Sequence, residues 1–117
     1  RHYNLPIKIV VFSNDGYGMI KHTQRNAGYQ RAATDSASGV SCPDYVDVAK
    51  AYKIDAWRVA SPSHVPSMLD MFMSKYGPCL LDVVIDPEQT QVPKLNPVPR
   101  PDGTMGSPSF DDLSPRL

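Results

Sequence analysis

Ile7-Lys8-Ile9-Val10-Val11-Phe12-Ser13-Asn14-Asp15-Gly16-Tyr17-Gly18 sets the fold class of this chain. Residues 7–12 are mostly apolar and β-branched, which predicts a buried strand, most compatible with a parallel sheet. Ser13 to Gly18 ends that strand. A helix is expected to open near Tyr17 and to run through Met19, Ile20 and His22. A strand that turns into a helix opens a βαβ unit, and sheets built this way bind ligands outside the carboxyl ends of their strands.

Further elements extend this reading. Residues 25–43 are rich in Gly, Ala, Ser, Thr and Asp and read as a loop. Tyr45, Val48, Ala49 and Tyr52 fall at i, i+3, i+4 and i+7, one apolar helical face. Ser41 with Asp44 suggests a capping box, with Pro43 in the first turn. Asp55-Ala56-Trp57-Arg58-Val59 reads as a short strand. Ser61-Pro62 suggests an N-cap followed by a first helical residue. Val65, Met68, Leu69, Phe72 and Tyr76 then line one face of a third helix, loosened near its start by Pro66 and ended by Gly77 at C′ before Pro78. Cys79-Leu80-Leu81-Asp82-Val83-Val84-Ile85-Asp86 is the strongest strand. The order β-α-β-α-β predicts an α/β fold, with parallel strands joined by right-handed crossovers and helices on both faces. Asp82 is out of place in an apolar strand. It suggests a sheet edge, a partner contact or a hydrogen bond to a neighbouring helix end.

Seven of the twelve prolines lie between Pro87 and Pro115. They divide the chain into a folded unit, residues 1–86, and an extended arm, residues 87–117, since proline forbids a long helix or a central strand there. Leu95, Phe110 and Leu113 are the arm's candidate anchors. The 117 residues suit one ordinary domain, and 41% hydrophobic with 21% charged residues argues against global disorder. Twelve basic and twelve acidic side chains cancel, which argues against a general nucleic-acid or polybasic membrane surface. No apolar run approaches the roughly 20 residues of a membrane span. Cys42 and Cys79 make neither a disulfide framework nor a zinc site and read as buried or half-buried thiols, which fits a cytoplasmic protein.

Only the Ser13–Gly18 loop carries a distinctive set of donors. Gly16 and Gly18 let the backbone turn tightly and approach a ligand. The helix N-terminus behind them offers free N–H groups suited to a phosphate. Asn14 and Asp15 offer hard oxygens suited to Mg²⁺ or Ca²⁺. A phosphate with a divalent cation is the natural pairing, although such residues after a strand most often make only a turn. Lys21 stands where a dinucleotide fingerprint needs its third glycine, and no Gly-Lys-Ser/Thr of a Walker loop follows.

Leu5 to Ile20 resembles the second half of the thiamine-diphosphate motif, which begins with Gly-Asp-Gly or Gly-Asp-Ala and ends with Asn-Asn. The likeness continues through Pro43-Asp44-Tyr45-Val46-Asp47-Val48-Ala49-Lys50-Ala51-Tyr52, Arg58-Val59, Ser61-Pro62 and Gly77 to Asp86, nearly all of residues 4–90. It is similar to the acetolactate synthase group, in the C-terminal diphosphate-binding domain. The resemblance implies a three-layer parallel-sheet domain, of which this chain supplies part. It implies thiamine diphosphate and Mg²⁺ as cofactors, and leaves a flavin (FAD) open. Asn14 matches the Asn whose side-chain oxygen ligates Mg²⁺, and Gly16 the residue whose main-chain carbonyl is a second ligand. Tyr17, Gly18 and Met19 match the turn around the diphosphate.

The implied activity is that of a lyase or carboligase acting on a 2-oxo acid, with this segment anchoring the Mg²⁺-diphosphate. Ser13 replaces the first Asn of the motif, and no Gly-Asp-Gly or Gly-Asp-Ala precedes the strand. The Glu that activates the cofactor belongs to a different domain of the family. The active site is therefore expected to need the remaining domains, on another chain or in a missing N-terminal part, in a homo-oligomer. No catalytic acid or base is assigned.

The arm is more loosely similar to the family's C-terminal extension, which can lie over the active-site mouth; an arm packed on a neighbouring domain or subunit is the equal alternative for these residues. For the function of the chain as a whole, the alternative is a non-catalytic α/β binding or regulatory module derived from the same fold. A receiver-like or flavodoxin-like module is disfavoured because the later strands end in Val59-Ala60-Ser61 and Ile85-Asp86-Pro87, without an acidic cluster. Lys21 and His22 read first as exposed polar helix residues, with substrate contact as the alternative. His64 reads as exposed or a local cap, and Tyr52 and Trp57 as packing residues.

Overall fold

The computed structural model describes residues 2–3, 5–90, 92–95 and 97–113. Asn4 and, in the arm, Gln91, Asn96 and residues 114–117 with Pro115 lie outside the described residues. The chain forms β1 (Lys8–Ser13), α1 (Gly18–Asn26), α2 (Tyr45–Ala51), β2 (Asp55–Val59), α3 (Val65–Ser74), β3 (Cys79–Val84), β4 (Val98–Pro99) and β5 (Met105–Gly106). Single 3₁₀ turns occur at Ser36–Ser38, Pro62–His64 and Phe110–Asp112.

β1, β3 and β2 form a parallel sheet in that order, with Val10 and Trp57 both in register with Leu81. The connection from β1 to β2 crosses the sheet in one direction, and that from β2 to β3 returns. Right-handed crossovers travelling in opposite directions run over opposite faces. Accordingly, α3 covers the face of Trp57, Val59 and Leu81. The N-cap of α2 meets Arg58, whose side chain leaves β2 on the other face. The three-layer α/β expectation holds.

The core is small. Val59, Phe72, Cys79 and Leu81 are buried together, with Trp57, Val65, Met68 and Val83 packed against them. Phe72, the largest fully buried side chain, is 1% exposed. Lys8 closes the end of α3, with Nζ donating to the Lys75 carbonyl and standing 5.7 Å from the Phe72 ring centroid. A cation at a helix C-terminus meets the negative end of its dipole. Both cysteines are free, Cys79 buried and Cys42 half-buried.

Several local expectations are corrected. β1 is an edge strand, and α2 and α3 pack on β2 and β3. Val10 and Phe12 are therefore exposed, Phe12 at 66%. Asp82, by contrast, lies at no edge, because β3 is the middle strand. The cap of α2 is Asp44 alone, which accepts from the N–H groups of Val46 and Asp47 at 2.9 and 3.1 Å. Pro43 and Ser41 precede the helix. Val48 and Tyr52 stay exposed, so only part of the periodic apolar face of α2 is used. Ser61 occupies the cap position of the Pro62–His64 turn without a capping hydrogen bond. α3 ends one residue before Lys75, so Gly77 (φ 84°) turns the chain beyond C′, and Tyr76 is exposed.

The arm has more order than its prolines suggest. β4 and β5 pair antiparallel around a tight turn, in which Asp102 Oδ1 accepts from the Thr104 N–H at 2.9 Å. Gly103, at φ 81°, completes the turn. Pro99 is tolerated because the ladder is two residues long. Leu95 and Leu113 are half-buried, but Phe110 is 81% exposed and anchors nothing within the described residues. The root of the arm is held by α1. Lys21 Nζ donates to the Pro87 carbonyl at 3.1 Å and pairs with Glu88, which Arg25 meets at 3.3 Å. The Lys21 ammonium, then the charges of Lys21 and Arg25, hold the Glu88 carboxyl below its ordinary value. Lys21 is thus buried, and not the exposed helix residue its sequence suggests.

Candidate functional site

The chain turns sharply after β1. The Ser13 carbonyl accepts the Ile85 N–H at 2.9 Å, which keeps β1 paired to its last residue. Asp15 then adopts φ 58° and Gly16 φ 151°. A Cβ on Gly16 would fall 2.0 Å from the Thr34 carbonyl oxygen. Glycine is therefore required here by the backbone of residues 34–35. The Tyr17 N–H donates to that same carbonyl at 2.7 Å, and Gly16 bridges Asp35. Ser36 Oγ donates to Asp15 Oδ2 at 2.6 Å, so the aspartate is engaged in holding the turn.

Residues 34–38 form a built-in support. Thr34 and Asp35 are buried. Asp35 caps the Ser36–Ser38 turn, with Ser38 Oγ donating to its carboxylate at 2.7 Å. Its other oxygen faces Lys21 Nζ at 3.6 Å and Arg31. These residues lie within the stretch 25–43, whose composition indicates only a loop. The spacing Asp35-x-x-Ser38 was its one visible signal, a reciprocal cap.

Behind the turn, α1 begins at Gly18 with no side-chain cap and no acidic residue in its first turn. The first N–H groups of a helix have no intrahelical partner and attract anions. The Asn14 amide lies over this end, since a Cβ on Gly18 would fall 2.5 Å from Asn14 Nδ2. The turn thus brings Asn14, Gly16, Tyr17, Gly18 and Met19 around one helix N-terminus, with Tyr17 and Met19 exposed.

A cleft of about 260 Å³ opens at the carboxyl ends of the strands. Ser13, Asn14, Asp15 and Gly16 line one side, and Cys42, Pro43 and Tyr45 another. Arg58, Asp82 and Val84 complete it with Phe12. Arg58 bridges two carboxylates, with Nε donating to Asp82 Oδ2 at 2.7 Å and its other arm 3.0 Å from Asp44. The Asp82 hydrogen bond, followed by Asp44, pushes the Arg58 pKa up. The Asp47 N–H, with help from Arg58, holds Asp44 below its ordinary value. The neighbouring Cys42 raises Tyr45, and burial adds to it. The Arg58–Asp82 pair was legible only as two opposite charges in two apolar strands.

The residues fit a metal-bound diphosphate. Asn14 and Gly16 carry neutral hard oxygens, and an open helix end lies beside them. No cluster of three His, Cys, Asp or Glu occurs among the described residues. A hard cation here would complete its shell from the ligand's own oxygens, as Mg²⁺ commonly does with phosphates. His22 is half-buried beside Arg25, and His64 is exposed.

Known proteins match the sequence of this chain. The family described as thiamine pyrophosphate enzyme, C-terminal TPP binding domain, matches residues 1–83. A probable acetolactate synthase large subunit of Methanocaldococcus jannaschii is 31% identical over 95% of this chain and 20% of its own length. The mitochondrial acetolactate synthase catalytic subunit of Aspergillus candidus is 33% identical over 83% of this chain and 13% of its own. The acetolactate synthase large subunit of Cyanidium caldarium is 30% identical over 81% and 16%. The chain thus spans a fifth or less of the length of these relatives. No helix among the described residues is long and apolar enough to cross a membrane. With the family match covering β1, all three helices and nearly all of β3, this chain belongs to the C-terminal thiamine-pyrophosphate-binding domains of thiamine pyrophosphate enzymes.

Proposed function

We propose that residues 1–86 anchor the Mg²⁺-diphosphate of thiamine diphosphate in an enzyme of the acetolactate synthase type that acts on a 2-oxo acid. The uncapped N-terminus of α1, with Asn14 laid over it, carries this reading. Asn14 Oδ1 and the Gly16 carbonyl would hold the metal. Tyr17, Gly18 and Met19 would wrap the diphosphate, with the open main-chain N–H groups of Gly18 and Met19 facing it, since the Tyr17 N–H is held by the Thr34 carbonyl. Asp15 keeps the turn closed through Ser36. When bound, the cofactor supplies the electron sink for breaking or making the bond beside a 2-oxo group. The share of this chain in this reading is placement: it holds the diphosphate end still. Other parts of the enzyme, in a homo-oligomer, would supply the remaining ligands and the substrate pocket.

The test is metal removal. Thiamine diphosphate binding to the full-length protein, followed by calorimetry, is expected with Mg²⁺, to be lost on chelation and to return when Mg²⁺ is restored. Binding that ignores the chelator would remove the metal from this reading. No binding with Mg²⁺ would favour the non-catalytic derivative of the fold.

Residues 87–117 act in this reading as an arm over the cleft, clamped at its root by Lys21 and Glu88. Fully burying a Leu such as Leu95 or Leu113 contributes about 1.5–3 kcal/mol, enough for two such anchors to hold the arm yet let it lift. Trypsin cleavage after Lys94 and chymotrypsin cleavage after Phe110 are expected to slow when thiamine diphosphate, Mg²⁺ and a 2-oxo acid are added. Equal fast rates with and without ligands would leave a passive tail, and equal slow rates a permanent brace.

A further inference from the structure

We propose that Asp82 is a positioning residue for the Asn14–Gly16 turn and acts through the Ser13 hydroxyl, an inference that rests on the reading of that turn as the Mg²⁺-diphosphate anchor. Asp82 is completely buried in the middle strand. A charge without solvent persists only if it is paired and hydrogen-bonded. Its two oxygens divide the task. Oδ1 accepts the Ser13 hydroxyl, and Oδ2 accepts Arg58 Nε at 2.7 Å. Ser13 belongs to β1 and Arg58 to β2, so one carboxylate ties the carboxyl ends of all three strands together. Arg58 carries the tie on to Asp44, the cap of α2.

This network ends where the turn begins. Ser13 is held twice, by its side chain on Asp82 and by its carbonyl on the Ile85 N–H. Asn14 follows immediately, and Asp15 and Gly16 then take uncommon backbone angles. Such conformations persist where the surroundings over-determine them. The Thr34–Asp35 segment constrains the far side of the turn, and the Ser13–Asp82 bond constrains the near side. Arg58 pairs the buried charge, and the Ser13 hydroxyl satisfies its other oxygen. The hydrogen bond to Ser13 adds stiffness at the one residue that leads into the candidate ligands.

The test uses the full-length protein and reads the Mg²⁺ concentration that half-saturates thiamine diphosphate binding, with the unfolding midpoint measured in parallel. Ser13→Ala is expected to raise that concentration about 10-fold, as losses behind a metal ligand commonly do. Ser13→Thr, which keeps the hydroxyl, restores the parental value. Asp82→Asn shifts it in the same direction, and the double variant Ser13→Ala with Asp82→Asn is no worse than Asp82→Asn alone, because both act through one bond. Parental Mg²⁺ dependence in Ser13→Ala overturns the proposal, and so do shifts that simply add. If Asp82→Asn does not fold, Ser13→Ala against Ser13→Thr decides. Asn14→Ala separates the two levels. If it needs no more Mg²⁺ than the parent, the anchor reading itself fails. If it loses binding while Ser13→Ala binds like the parent, only the positioning role fails.

Discussion

Asn14→Ala is expected to raise the Mg²⁺ needed for thiamine diphosphate binding by on the order of 100-fold or more, above the range typical of groups behind a ligand. Mg²⁺ demands near-octahedral oxygen geometry, so losing one ligand removes a bond and disturbs the remaining ones. The substitution leaves the backbone of the turn in place. Gly16 and Tyr17 are held by the Thr34–Asp35 segment, not by Asn14. The unfolding midpoint should therefore stay near that of the parent. Titration calorimetry at several fixed Mg²⁺ concentrations provides the measurement. Ser13→Ala, whose side chain would act one step removed, should show the smaller shift. The opposite ranking would move the ligand assignment from Asn14 to Ser13.

Phe72→Ala should give the largest loss of stability, about 3–5 kcal/mol for truncating a fully buried Phe. The reason is the size of the core. Four buried residues form its centre, and Phe72 is the bulkiest of them. It also underlies Lys8, so the same change removes the ring that this cation faces. Few neighbours can collapse into the space. Urea unfolding monitored at Trp57, which packs against this core, reads the effect directly. Leu69→Ala on the exposed side of the same helix is the control. Equal midpoint shifts for the two variants would show that α3 is not held by Phe72.

The elements themselves were legible in the sequence because they are local. β2 begins and ends where the run Asp55–Val59 predicts, and the parallel sheet follows from the alternation of strands and helices. The Gly16–Gly18 turn and the helix behind it were legible for the same reason. Helix ends were read less well. Asp44 caps α2 in place of Ser41, since an aspartate directly before the helix reaches two N–H groups by itself. Tyr52, Val48 and Phe110 match apolar patterns yet remain exposed, because periodicity reports which face is apolar and not whether anything covers it.

By itself, then, the sequence determined the α/β class, the order of the elements and the loop that carries the candidate ligands. Each of these depends on neighbours within a few residues. Only the tertiary structure decided that β3 is the middle strand and β1 an edge. It alone turned Asp82 from an anomaly into the joint between Ser13 and Arg58, and it alone set residues 34–35 against Gly16. Lys21 met Pro87 and Glu88 across 66 and 67 positions in the same way. Side chains so far apart in the chain meet only after the sheet has chosen its strand order, and no local pattern encodes that choice.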